Sequence, residues 1–393
     1  MRSLKQNFFR FQRWQHAWVA IIIIASALLH LGLMWFPNDL VLDEQYYIEA
    51  SRDYLQQGAL HQPEHPPLAK LFITAGMQIF GDNQFGWRIM PIIFGLLGIF
   101  FFYRICRHFQ FSNTVTNVTT ALFAFENSAF LMASVAMLDI FSITLMLGGF
   151  WAYLSRKYPL SIAFLTLAAL CKLTAIFGVS AIGLHWLLFR RDQVLTLALS
   201  ALIAYASGIL LISGLEWVLI GEWQNPLTRA GTLISIPTTI TFANSSHPSA
   251  VHPWQWVLGY QVMPFWWNPQ YISAVNPTTW ALTLPIFGYT TWLGLRKKHE
   301  AAFFAAAWIF ATLIVWIVIG FITDRITYIF YFAPIVGGVV LGLAVLMEKA
   351  IEWGRERGRL KKVYWGIGVF LALHLLFFLA LSPFTGLWPV TVK

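Results

Sequence analysis

The chain is short of charge, and that shortage is the first constraint on what it can be. Only 11% of its 393 residues are Asp, Glu, Lys or Arg, while 58% are hydrophobic. A soluble domain carries about 25% charged residues, so the composition excludes a soluble globular protein and a disordered chain alike. Cysteine is scarcer still. Cys106 and Cys171 are the only two. They show no CxxC or metal-ligand spacing, which excludes a disulfide scaffold, and both read as small apolar helix residues. No internal repeat or low-complexity tract is visible, which weakens a transporter built from inverted repeats.

What the sequence has is long apolar runs. Eleven lie near 17–36, 88–105, 113–131, 134–154, 160–171, 173–189, 193–216, 278–295, 301–322, 327–347 and 363–382. Each is about the length of a membrane span or somewhat shorter. The pair at 160–171 and 173–189 is short for a core of about 30 Å and reads as a tight hairpin or one interrupted helix. Arg2, Lys5, Arg10 and Arg13 precede the first run. That run is long for a signal peptide and more spans follow, so it reads as an anchor. The expected fold class is an all-α polytopic membrane protein, one transmembrane domain over 1–393. Long loops at 37–87 and 217–277 interrupt it, and a four-span region covers 278–393.

The net charge is +9. With the N-terminus placed in the cytoplasm, the inner segments hold 19 of the 26 basic residues and 5 of the 17 acids. The inner face is then +14 and the outer face −5. This positive-inside pattern explains the basic balance with no nucleic-acid partner. Both long loops fall on the outer side and are rich in Pro, His, Trp and Tyr. Loops placed by a rigid scaffold tend to carry function.

In the first loop, Asp43 and Glu44 directly follow the first span. Asp43 is positioned to cap a helix over QYYIEASRDYL that Gly58 ends. His65-Pro66-Pro67 is a rigid extended element. LAKLFITAGMQIF then reads as an apolar helix too short to span, lying at the interface. Two adjacent acids at a membrane edge are costly unless water, a cation or function holds them there.

Asp43-Glu44, some twenty residues, HPPLAK and then GWR resemble the protein O-mannosyltransferase family, glycosyltransferases of the GT-C class that use lipid-phosphate sugars. Further segments agree in order: FENSAFLMASVAMLDIFSITLML ending near Asp139, ALCKLTAIFG, SSHPSAVHPWQWVLG, MPFWW, NPTTWAL and DRITYIFYFAP. The likeness runs over about 20–345. The sequence departs from the family pattern at Leu173, where Trp is usual, and at Ala133-Ser134, where Ser-Arg is usual. The second of these leaves the acceptor open. The loop 217–277 is too short for a β-trefoil MIR domain, which points to a prokaryotic member in the plasma (inner) membrane, with the C-terminus and active site on the outer side.

The resemblance implies transfer of a hexose, mannose by family default, from a polyprenyl- or dolichyl-phosphate sugar to a hydroxyl. Such chemistry needs a carboxylate to take the hydroxyl proton and fixed cations for the leaving phosphate. Asp43 is the expected base, with Glu44 orienting it or binding a hydroxyl. Arg88, Lys172 and Arg325 are the expected phosphate contacts. A lysine beside apolar spans is expensive and is a functional candidate for that reason. His65, Glu126, Asp139, His247, Trp254 and Trp256 are the candidates for sugar or acceptor. One base with direct attack implies inversion at the anomeric carbon. Neither a cofactor nor a metal is expected, and the partners are the lipid-linked sugar, an acceptor protein, lipid or glycan, and membrane lipids.

Three other readings compete. One is a lipid- or glycan-directed enzyme resembling the aminoarabinose transferases. A transporter or flippase is another, but the acids concentrate at span ends and not near a midplane. The last is a metal-dependent hydrolase using His61, His65, His247 and His252, against which Pro63 and Pro66 argue, since they break the helix that would present His61 and His65 together.

Overall fold

A computed structural model describes residues 2–58, 64–191, 194–221, 223–267 and 270–384. All eleven apolar runs form helix. In chain order the helices are α1 (Arg2–Leu33), α2 (Glu44–Gln57), α3 (Leu68–Phe80), α4 (Gln84–His108), α5 (Asn113–Ala124), α6 (Asn127–Ser134), α7 (Leu138–Leu154), α8 (Tyr158–Cys171) and α9 (Ile176–Phe189). The chain continues through α10 (Val194–Ile220), α11 (Pro226–Thr238), α12 (Gln255–Leu258), α13 (Pro277–Lys297), α14 (Glu300–Ile309), α15 (Val315–Thr323), α16 (Ala333–Glu356) and α17 (Leu360–Leu381). Polar residues at the starts explain several boundaries. The Asn83 side chain accepts from the Phe85 and Gly86 N–H groups, Ser112 from Val115, and Asn276 from Thr278. Each satisfies N–H groups that a helix start leaves unpaired.

Among the described residues six spans are long and apolar enough to cross a membrane: those of α1, α4, α10, α14–α15, α16 and α17. The pair α6–α7, bent by 116°, makes a seventh. This is fewer than the eleven expected, for a physical reason. α3, α8 and α9 have 13 or 14 residues, and a helix of that length rises only about 20 Å. α5 stops after 12 residues, and α13 is long enough but diluted with threonine and proline. α7 and α16 are buried on nearly every face, while α10 and α17 sit at the rim. A π-turn at Phe310–Ile314 interrupts the span between α14 and α15, and such turns recur at functional sites.

The second long loop holds the only strands among the described residues, a departure from a purely helical expectation. β1 (Val262–Trp267) and β2 (Gln270–Ala274) pair antiparallel from Val262↔Ala274 to Trp267↔Gln270. The register shifts between Pro264 and Trp266, where proline has no N–H to give the ladder. The loop is also stitched to the segment after α15. The Ile326 N–H donates to the Ile240 carbonyl at 3.1 Å, Phe242 to Asp324 at 2.9 Å, and Val251 to Thr327 at 2.9 Å.

One buried node sets how α1, α2, α4 and α6–α7 meet. Arg88 and Glu44 are both fully buried and pair at 2.8 Å. Nε and Nη2 of Arg88 donate to the two carboxylate oxygens. Its remaining donors go to the carbonyls of Met34, Phe36, Pro37 and Asp39 at 2.9–3.1 Å. Glu44 in turn accepts from the Val41 N–H at 2.8 Å and the Ala136 N–H at 2.7 Å. The latter lies in the bend between α6 and α7. Two expectations are corrected here. Arg88 has no donor left for a donor phosphate, and Glu44 has no lone pair turned toward a sugar or acceptor. Both residues position others.

Arg88→Met should lower the stability of the purified protein by about 3–5 kcal/mol, because it strands a buried carboxylate. Arg88→Lys should recover only part of that, since an ammonium lacks the planar fork. Thermal unfolding in detergent checks both, and a wild-type melting point in either variant would refute the node's role.

Candidate active site

Asp43 occupies the N-cap position of α2, but its side chain makes no capping bond. Its neighbour does the local work instead, through the bond from Val41 N–H to Glu44. Among the described residues Asp43 forms no ion pair, and its carboxylate accepts a hydrogen bond from the Tyr47 hydroxyl. Burial holds its pKa above the ordinary value, with Asp139 acting the same way; Lys172, His247 and the Tyr47 hydroxyl pull it down. The groups that perturb it come from α2, α7, the α8–α9 junction and the second long loop.

Lys172 stands where α8 breaks, with extended backbone (φ −154°, ψ 127°) before the turn Leu173–Ala175. Its Nζ donates to both oxygens of Asp139 at 2.8 Å, and both side chains are almost fully buried. The ammonium also lies 5.1 Å from the Tyr331 ring centre and 5.7 Å from that of Phe330. Asp139 comes from the first turn of α7, just beyond the sharp bend. The Arg325 guanidinium lies 5.5 Å from the Trp316 ring and 6.0 Å from Tyr331, and no carboxylate pairs with it among the described residues. Cation and ring attract in such geometry, which holds Arg325 in place while leaving its N–H groups for another acceptor.

His65 packs edge-on to Tyr47 at 6.2 Å. Burial pushes its pKa down to about 3, helped by Lys172, Lys70 and Arg325; it is therefore neutral at physiological pH and marks the cationic centre of the cleft. His247 stands edge-on to Tyr328 at 5.2 Å and reaches the neighbourhood of Asp43, so the second long loop does overhang the site. Asp43, Asp139, Lys172, Arg325, His65 and His247 are thus brought together.

Three expected contacts are not. Glu126 is fully buried and accepts from Ser128 Oγ at 2.6 Å, the Ala129 N–H at 3.0 Å and the Asn276 N–H at 2.7 Å. It joins the α5–α6 turn to the start of α13 and offers nothing to a sugar. Trp256 has no exposed surface. Trp254 is stacked between His252 at 4.2 Å and Phe321 at 4.4 Å, and His252 in turn lies on Phe242. These rings fasten the loop; the rings beside Lys172, Arg325 and His247 are those of Trp316, Tyr328, Phe330 and Tyr331. Of the histidines weighed for a metal, His61 lies outside the described residues, and His252 is committed to this stack.

Sequence reasoning missed Tyr47, Tyr328, Tyr331 and Lys70, although each lies inside a quoted motif. Tyr47 follows Asp43 by four residues, one helical turn, so the two share a face. Tyr328 and Tyr331 lie three apart in DRITYIFYFAP. Lys70 ends HPPLAK, is almost fully buried, and burial holds its pKa at about 8.

Comparison with known proteins bears on the chain as a whole. Residues 64–220 match the family model for dolichyl-phosphate-mannose-protein mannosyltransferases. A polyprenol-phosphate-mannose–protein mannosyltransferase of Corynebacterium glutamicum is 22% identical over 96% of this chain and 91% of its own. One from Mycobacterium tuberculosis is 26% identical over 46% of this chain and 36% of its own. In three dimensions the fold matches the Saccharomyces cerevisiae protein O-mannosyltransferase Pmt1–Pmt2 complex bound to its sugar donor. The TM-score is 0.80, at 11% identity, over 96% of this chain and 91% of that one. Over nearly its whole length the chain is similar to protein O-mannosyltransferases. It is a multi-pass membrane glycosyltransferase of GT-C fold.

An unpaired carboxylate kept above its ordinary pKa weakens the native state wherever it is ionised. Asp43→Asn should therefore raise the melting temperature at pH 7. The gain should shrink as pH falls toward the ordinary aspartate range, where the wild-type carboxyl protonates in both states. An unchanged or lower melting temperature at pH 7 would contradict this placement.

Proposed function

We propose that this enzyme transfers a mannosyl group from a polyprenyl-phosphate donor to a hydroxyl, that of Ser or Thr in exported proteins, with inversion at the anomeric carbon. The observation that carries the reading is the Asp43 carboxylate, which has no ion pair, near Arg325, a cation with no carboxylate partner, both among the described residues. The acceptor hydroxyl gives its proton to Asp43 as its oxygen attacks the anomeric carbon. The bond from that carbon to the phosphate oxygen breaks, and the lipid phosphate leaves with the electron pair. Arg325 and Lys172 stabilise the negative charge it gains. Asp139 holds Lys172 in place. Tyr328 and Tyr331 flank the sugar, and His247 covers it from the loop. In the proposed orientation the basic loops face the cytoplasm and the site opens on the outer side of a prokaryotic plasma membrane.

The basic residues on one face favour that orientation through the positive-inside rule, and the named mannosyltransferase relatives favour the donor. Transfer from a labelled polyprenyl-phosphate mannose in membranes tests the reading. Asp43→Asn should lose about 10²–10⁴ in turnover with donor binding retained; unchanged turnover would remove Asp43 as the base. In the wild type the acid limb of the pH profile should lie above the usual carboxylate range, because the base works only when ionised and burial raises its pKa. Arg325→Ala should raise the apparent KM for donor more than it changes KM for acceptor. A product with retained anomeric configuration would sink the single-displacement mechanism.

A further inference from the structure

A groove between α1, α5 and α17 is built from elements that carry no site residue. It encloses about 600 Å³, and its lining includes Trp18, Ala25, Asn113, Asn117, Phe125 and Leu371. Most of the wall is apolar, but polar side chains gather at one end. At 1.5 Å per residue, Asn113 to Phe125 covers about 18 Å and Asn117 lies about 6 Å in from Asn113. One leaflet's hydrocarbon is about 15 Å deep, so the groove is as long as a leaflet.

Arg107 stands at the polar mouth, its Nη1 donating to Asn113 Oδ1 at 2.8 Å. Among the described residues it forms no ion pair. The half-buried Asn117 side chain lines the groove, with no hydrogen-bond partner among them either. An amide left unpaired against hydrocarbon is costly, so plain lipid tails suit this wall poorly at that depth. An occupant that places an anion at the mouth, ester oxygens about one turn deeper and a hydrocarbon chain beyond satisfies all three zones.

We propose that this groove binds one anionic glycerophospholipid. Its phosphate pairs with Arg107, an ester oxygen accepts from the Asn117 amide, and one acyl chain runs along α1 and α5 toward Phe125. The mouth lies on the basic face of the molecule, where attraction to anionic lipid is strongest.

Native mass spectrometry of the full-length protein, titrated with phosphatidylglycerol and phosphatidylcholine of matched chains, tests this. The wild type should retain a single phosphatidylglycerol at activation that strips phosphatidylcholine. Arg107→Ala should cut that preference by about fivefold, and Arg107→Lys should restore part of it. Ala25→Trp should fill the groove and reduce retention of both lipids. Arg104→Ala should leave retention intact, since that guanidinium lies over the Phe100 and Trp151 rings. Equal retention of the two lipids by the wild type would overturn the proposal, as would an undiminished preference in Arg107→Ala. A dimer that dissociates in Ala25→Trp would overturn it too, by showing that a second copy covers the groove. If Ala25→Trp does not fold, the Arg107 pair decides alone.

Discussion

A guanidinium shut away from water must find every acceptor within the protein, and Arg88 does so at the one point where four helical elements converge. Removing two charges from water costs more than their attraction returns unless further hydrogen bonds complete the shell. Here four backbone carbonyls complete it for Arg88, and two backbone N–H groups complete it for Glu44. The consequence is geometric. The linker between α1 and α2 is held by its carbonyls, and the bend before α7 is held by the Ala136 N–H. Asp43 on one side and Asp139 on the other inherit fixed positions.

The site that results separates its charges by environment. Lys172 is balanced by Asp139 at close range, while among the described residues the Arg325 side chain is held by rings alone and Asp43 has no ion partner. Like charges near one another and burial both oppose ionisation of a carboxylate, while nearby cations favour it. The raised pKa of Asp43 is the outcome of that contest. A raised pKa means a higher affinity for a proton, which is in keeping with the proposed role as base.

Much of this was legible in the residues. Asp43, His65, Asp139, Lys172, Arg325 and His247 were all chosen from motif and polarity, and the structure gathers them around one cleft. The α3 boundaries and the Gly58 stop, at φ +68°, follow from apolar spacing and glycine's freedom. The misreadings share a cause. Glu44, Arg88 and Glu126 are charged residues at span ends, and so is Asp43. Nothing in their spacing says whether a side chain turns into the bundle or into the cleft. Trp254 and Trp256 are candidates for sugar or acceptor by residue type, but their rings are spent on packing.

The sequence alone determined membrane residence, helical class and the likeness to a family, because these depend on summed composition and on motifs local in the chain. Tertiary structure decided which charges are satisfied and which are left to act. Arg88 finds its partners 44 to 54 positions away, and Lys172 finds Asp139 across 33. A charge's role is set by what surrounds it after folding, and that is a property of packing, which no local pattern encodes.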